Sequence, residues 1–371
     1  MKRIRKLFVA LGLTLFFCVS SYAATYYVDG AVGSDSNAGT SPGAGNAWAT
    51  IPKALTVMNA GTGDTTWVKD TVVYSTNTGL SFSPTQSYSV SNLVGYSSTI
   101  GDSGRFTLKA TAAITLLTLG GTGARLSNFI FDGNSQTGSV GVSIAPSTYG
   151  EAIINGLVKN FSGIGVNLSS SYSGSAVGVE VTGCGGTSAI YVTGGYGQSV
   201  YGCNVHDNTT VGIYGAVYSI VVEGNKVWNN TTGIYMSGIG AEVWNNTVDN
   251  NSSDGINIVA YYVPGHIYNN ILTRNGGYGL NASALTISEF DPGNDYNWYG
   301  SGGMANTSGA RSANMLAGYH DLSGDPQYNN AGAGDFTPKN SSVQAAYPTG
   351  WIGAVQPASS SAATTSFTFA Q

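Results

Sequence analysis

The chain has 371 residues, of which only 9% are charged, and 14 Lys+Arg face 19 Asp+Glu for a net charge of −5. Four of the basic residues, Lys2, Arg3, Arg5 and Lys6, sit at the extreme N-terminus; without them 10 basic residues face 19 acidic ones, a net charge of −9. A chain with so few basic clusters is a poor partner for nucleic acid or for a bare polyanion, because counterion release needs grouped cations.

In chain order, residues 1–23 carry the pattern of a secretory signal. A basic start is followed by the apolar stretch Leu7 to Val19 and by Ser21-Tyr22-Ala23 as a small-residue cleavage site. The apolar run is too short to span a bilayer, and no later segment has the length and apolarity of a membrane-spanning helix. The expected product is a secreted or cell-surface protein, cleaved near Ala23. Residues 24–105 form an N-terminal lead-in and cap, 106–290 a stack of coils, and 291–356 terminal coils with a returning segment. Residues 357–371 are an aperiodic, flexible tail.

The coil assignment rests on a motif that returns about every 21 to 26 residues. Ile164, Ile190, Ile213, Ile234, Ile256 and Leu280 each follow a Gly or Ala and precede a short alternating stretch. A second phrase, centred on Val181, Val205, Val227, Val248 or Leu272, precedes five of the six. Self-similarity at this period means a solenoid. Leucine-rich repeats share the period but need several Leu per unit, which these units lack. Their Gly, Asn, Ser, Thr and Tyr suit turns and short strands. Alternation such as Ile234-Tyr235-Met236 and Ile256-Asn257-Ile258 marks strands with one buried face. Three short strands per unit, joined by Asn/Gly turns, give an all-β fold, one rung of a parallel β-helix.

Aligned units give inward columns Val200/Val222/Val243/Ile267 and Val205/Val227/Val248/Leu272. Asn225, Asn246 and Asn270 stack at a turn, with Cys203 one rung earlier, and stacked amides can bond from rung to rung. Cys184 and Cys203 fall five positions apart around the rung, which makes buried thiols the expectation and not a disulfide. His206, His266 and His320 show no zinc spacing.

The ends of the mature chain carry a family resemblance. Tyr26-Tyr27-Val28-Asp29, Gly33-Ser34-Asp35-Ser36-Asn37, Trp48-Ala49-Thr50-Ile51-Pro52 and Gly63-Asp64-Thr65 open it. Asp295-Tyr296-Asn297, Asp325-Pro326-Gln327-Tyr328 and Gly334-Asp335-Phe336 close it. These phrases resemble those of secreted right-handed parallel β-helix proteins of the pectate-lyase-like superfamily. The resemblance implies a right-handed solenoid with an N-terminal cap and polysaccharide as partner. It also implies that an enzyme of this kind would be a polysaccharide lyase or a glycoside hydrolase. The hydrolases' Asn-Thr-Asp, Asp-Asp, Gly-His-Gly and Arg-Ile-Lys phrases are absent. Of the basic residues a lyase would need, residues 155–290 offer Lys159, Lys226 and Arg274, with no Asp cluster expected beside them.

Function on a solenoid sits on outward columns. One column reads Tyr191, Tyr214, Tyr235; a second reads Tyr201, Glu223, Trp244, Tyr268; a third, two residues back, reads Ser199, Val221, Glu242, His266. The aromatic residues Tyr191, Tyr201, Tyr214, Tyr235, Trp244 and Tyr268 are candidate sugar platforms. Glu223 and Glu242, one rung apart and offset by two residues, are a candidate acid–base pair with Cα atoms roughly 8 Å apart, and His266 can tune them. Asp29, Asp35 and Asn37 could offer oxygen ligands to Ca²⁺, or simply hold a capping turn. The reading is a polysaccharide-binding, potentially polysaccharide-cleaving β-helix; its alternative is a non-catalytic adhesin-like structural rod.

Overall fold

The computed structural model describes residues 23–60, 63–85, 89–169, 172–259, 265–284, 294–312, 317–343 and 352–355. The signal segment apart from Ala23, and the 357–371 tail, lie outside the described residues.

The chain winds as a right-handed parallel β-helix. A representative coil contains Val211–Tyr218 (strand a), Val221–Glu223 (strand b) and Lys226–Trp228 (strand c), before Ile234–Met236 opens the next coil. Among the described residues the a strands stack into a ten-stranded parallel sheet, and the b and c strands into a 20-stranded one. Parallel pairing already joins Thr25–Val28 to Thr65–Lys69 and the latter to Ser91–Tyr96, so rungs begin within the N-terminal lead-in.

Register follows the inward columns. Ile190, Ile213, Ile234, Ile256 and Leu280 lie one over another on the a strands, each fully buried. Val200/Val222/Val243/Ile267 and Val205/Val227/Val248/Leu272 stack on the b and c strands. A side-chain period of two makes such register rigid, since a one-residue slip would turn every aliphatic outward.

One repeat member needs correcting. Val166, not Ile164, sits beneath Ile190, and Ile164 is only half-buried. Small residues, Ala189 among the glycines, stand before the stacked aliphatics. At Gly165, Gly212, Gly233 and Gly255 the neighbours approach too closely for a side chain. A Cβ at Gly233 would lie 2.5 Å from the Gly255 carbonyl oxygen, and one at Gly165 only 2.7 Å from Val181 Cγ1.

The b-to-c turns are held by the predicted asparagines. Backbone and amide nitrogens of Asn225 both donate to Asn246 Oδ1 at 2.9 Å, those of Asn246 to Asn270 Oδ1, and those of Asn270 to Asn297 Oδ1. The Cys203 backbone N–H donates into the start of this ladder, at Asn225 Oδ1. A second ladder, unforeseen in the sequence, holds the c-to-a turns: Asn208, Asn230, Asn251, Asn275 and Asn306, with the Cys184 N–H donating into its start. Both thiols are free and buried, and burial pushes each up to about 12.

The N-terminal end is closed by the helix Ile51–Met58, which Thr50 caps by accepting the Lys53 N–H and which Pro52 enters in its first turn. Its buried Ile51, Ala54, Leu55 and Met58 follow the spacing of one helical face and join the core. At the other end a strap returns over the outer face of the c strands. Phe336 meets Trp228 edge-on with centroids 6.0 Å apart, and Val343 and Ile352 pack on Ile271 and Trp298. Lys226 Nζ donates to the Gly334 carbonyl, and Gly353 N–H to that of Asn269.

Candidate functional site

The b strands carry the candidate carboxylates. Pairing places Tyr201, Glu223, Trp244 and Tyr268 in one outward column, continued by Asp295, and Ser199, Val221, Glu242 and His266 in the next. The predicted offset of Glu223 and Glu242 is therefore present, one rung and two residues apart, or about 8 Å between Cα atoms. His266 Nδ1 is 3.9 Å from Glu242 Oε1, and both side chains are about half exposed.

Glu223 sits differently from Glu242. It is half-buried between Tyr201 and Trp244, and among the described residues its carboxyl has no hydrogen-bond or ion-pair partner. Burial, with the Glu242 charge second, raises its pKa to about 7. Burial and then the Glu242 and Glu223 charges raise Tyr268, so all three groups share one electrostatic environment. Trp244 stacks on Tyr268 with centroids 5.4 Å apart and planes 13° from parallel. This face gathers Glu223, Glu242, His266, Trp244 and Tyr268, with the exposed Tyr201 one rung before Glu223.

The other aromatic candidates lie elsewhere. Tyr191, Tyr214 and Tyr235 stack on the a strands at 5.1 Å intervals. The six aromatics therefore divide between two faces. Four further tyrosines run along the corner between them: Tyr149, Tyr172, Tyr196 and Tyr218, with centroids 4.7, 5.9 and 5.3 Å apart. In both tyrosine ladders the ring faces are turned to one another along the rod. What they offer outward is ring edges and hydroxyls, a poorer seat for a sugar's C–H face than an open ring. The corner ladder was missed because its members, spaced 23, 24 and 22 residues apart, end strands or form single bridges outside the two phrases that define the repeat.

The cap residues are engaged otherwise than as a ligand set. Asp29 is buried, accepts from Thr71 Oγ1 and the Ala31 N–H, and pairs with Lys69 at 3.4 Å. Asp35 accepts from the Ala49 and Thr50 backbone N–H groups and from Thr50 Oγ1, while Asn37 turns its amide nitrogen to the Ala44 and Ala47 carbonyls. Among the described residues no group of three or more His, Cys, Asp or Glu side chains could hold a metal ion.

Of the three basic residues considered for a lyase, Lys159 and Arg274 each meet one carboxylate and Lys226 donates to the Gly334 carbonyl. Arg274 forms a two-pronged pair with the buried Asp249, which also accepts from Thr273 Oγ1. Lys159 lies 3.9 Å from Asp132. His206 is held between Glu180 and Asp207 and stacks on Trp228 at 4.6 Å. Arg274 and Asp249 sit on successive rungs, 25 residues apart, which phrase-by-phrase reading does not bring together.

Comparison with known proteins agrees with this architecture. Residues 113–272 match the family model described as "Right handed beta helix region". No curated protein matches the chain. Among solved structures, the pectate lyase Pel9A is 13% identical, with a TM-score of 0.54 over 79% of this chain and 82% of that one. ORF18 of Geobacillus virus E2 is 12% identical with a TM-score of 0.51; the match covers 81% of this chain and 61% of that protein's length. A rhamnogalacturonan lyase is 14% identical, covering 91% and 96%, with a TM-score of 0.49. At these identities the likeness is one of fold.

Proposed function

From a right-handed parallel β-helix of pectate-lyase-like architecture, we propose a secreted protein whose b-strand face binds a linear extracellular polysaccharide. The observation that carries the reading is the half-buried Glu223 beside Trp244 and Tyr268, one rung from the exposed Glu242. A long flat face built from identical rungs suits an extended polymer, and the signal-like N-terminus supports an extracellular partner. The reaction this geometry supports is glycoside hydrolysis with inversion. A Glu223 carboxyl that keeps its proton near neutral pH is a suitable general acid. Glu242, next to His266, would activate a water, and the offset of one rung and two residues, about 8 Å between Cα atoms, lets the two carboxyls flank one. The test is a glycan panel scored for retention and reducing-end release by the native protein and by Glu223→Gln and Glu242→Gln. Cleavage that survives both changes removes the pair from the mechanism.

A second reading, a non-catalytic structural rod, is favoured by the tyrosine ladders, whose ring faces are spent on one another. Absence of any glycan response, together with binding to cells or protein partners, would select it.

A further inference from the structure

Two carboxylates without a cation beside them set the b-strand face apart; the exposed Arg125 lies in the same outward column, but five rungs before Glu242. From Ser175–Val177 through Ser199–Tyr201, Val221–Glu223, Glu242–Trp244, His266–Tyr268 and Asn294–Asp295, no b strand contains Lys or Arg. The basic residues of these coils are on other faces and already occupied: Lys226 by the Gly334 carbonyl, Arg274 by Asp249, Arg311 by Asp321. Several other carboxylates are neutralised in place, Asp132 by Lys159, Asp249 by Arg274 and Asp321 by Arg311, while Asp295 is held by His320. Glu223 and Glu242 are left with each other and with a half-exposed His266 at 3.9 Å. A half-buried carboxyl without a partner is costly, and here it neighbours Trp244, which has one ring face taken by Tyr268, while the other, on the Glu223 side, is covered by no other ring among the described residues and can meet a cation or a sugar.

We infer that the polymer this face accepts is an amino-sugar chain bearing free ammonium groups, not a uronate polymer. The inference rests on the glycan-binding reading above and adds the charge of the substrate to it; an ammonium held between Glu223 and Glu242 is the resting register of the polymer, and hydrolysis needs a shifted register that leaves that gap to water and Glu223 protonated. A polyuronate laid along these strands would set its carboxylates against Glu223 and Glu242 with no lysine or arginine to relieve the repulsion. An ammonium group placed between the two supplies the missing counter-charge, can donate to both carboxylates, and can rest against Trp244 or Tyr268. Bringing a cation to Glu223 favours its ionised form, so binding at neutral pH should release a proton to solvent.

The experiment uses the mature chain and three immobilised polymers: de-N-acetylated β-1,4-glucosamine polymer, its fully N-acetylated counterpart, and polygalacturonate. The expected result is retention on the first, about tenfold weaker when salt is raised from low to high ionic strength, with little or none on polygalacturonate. Calorimetry near neutral pH in two buffers of different ionisation heat should show proton release, lost in Glu223→Gln. Glu242→Gln, a surface change that leaves the core intact, should weaken retention several-fold if Glu223→Gln fails to fold. Equal retention of the acetylated and free-amine polymers, insensitive to salt, would overturn the charge inference and leave glycan binding standing. Preferential retention on polygalacturonate would overturn it as well. Failure on all three polymers, and on the wider panel, would instead defeat the glycan-binding reading.

Discussion

The backbone and amide nitrogens of Asn246 both donate to Asn270 Oδ1 at 3.0 Å, and each side chain is fully buried. The same Asn246 accepts both nitrogens of Asn225 and donates to the Val222 and Trp244 carbonyls. One side chain thus satisfies polar groups of three successive rungs. Asn246→Ala would strand several buried groups at about 1–3 kcal/mol each, and a loss of on the order of 3–5 kcal/mol is expected. Asn250→Gly, which accepts the positive φ of 53° there, removes an outer hydrogen bond to Asn229 on an exposed turn and should cost under about 1 kcal/mol. Denaturant unfolding of the two variants decides whether the inner ladder carries the difference.

Glu223 makes stability depend on pH in a stated direction. Its folded pKa, raised to about 7 by burial and by Glu242, lies above the unfolded value, so the folded state holds the proton more tightly. The resulting contribution is complete below the unfolded carboxylate pKa and disappears as pH climbs through 7. Glu223→Gln should flatten the fall in melting temperature between about pH 5 and 8. An unchanged slope would mean that Glu223 titrates like an ordinary surface carboxylate.

Glu151 should behave in the same sense from the interior. It is fully buried at the corner below Tyr149, among the described residues neither carboxyl oxygen has a hydrogen-bond partner, and burial raises its pKa. Since its folded pKa lies above the unfolded one, ionisation at neutral and alkaline pH opposes folding. Glu151→Gln is therefore expected to stabilise the protein at pH 8 more than at pH 4, as read from melting temperatures at the two pH values.

The two aromatic faces should respond differently to truncation. Trp244→Ala opens the b-strand face and should weaken glycan retention about tenfold or more, in line with loss of a large stacking surface. Tyr214→Ala, whose ring lies between Tyr191 and Tyr235, should change retention less than about threefold while lowering stability modestly. Affinity electrophoresis in glycan-containing gels measures both, and the reverse order would move the binding face to the a strands.

The C-terminal strap has an energetic signature of its own. Phe336 is fully buried against Trp228 and Tyr328, so Phe336→Ala should cost about 3–5 kcal/mol if the strap and coils unfold together. Limited proteolysis separates cooperative unfolding from local detachment: cleavage confined to 325–343 at native temperatures would show the strap to be an independent unit.

The inward columns were legible because burial on one side of a strand leaves a period of two, and the rung adds its own longer period; together they set register for Ile190 through Leu280. The Gly-Ile phrase at 163–164 misled because Gly165-Val166 offers the same chemistry two residues on. A side chain fits at neither glycine, and it is the pairing of Val166 with Val142 and Ile190 that decides between them. Asn225, Asn246 and Asn270 stood out through neighbouring aliphatics, whereas Asn208, Asn230 and Asn251 sit in longer turns where asparagine is common for several reasons. The placement of Glu223 beside Glu242 was visible as a register, but the absence of a partner for Glu223 was not. That property depends on Lys226 and Arg274, the basic groups of the neighbouring coils, being engaged on another side, which no local pattern records.

The two amide ladders have a consequence for how such a rod can change its size. Successive links are separated by 21 to 24 residues in its middle, yet each link has the same geometry. Duplicating or excising one full winding therefore leaves both seams intact, while gain or loss of a single amino acid within a strand breaks them. Length in this molecule should evolve in steps of a whole turn, like adding links to a chain.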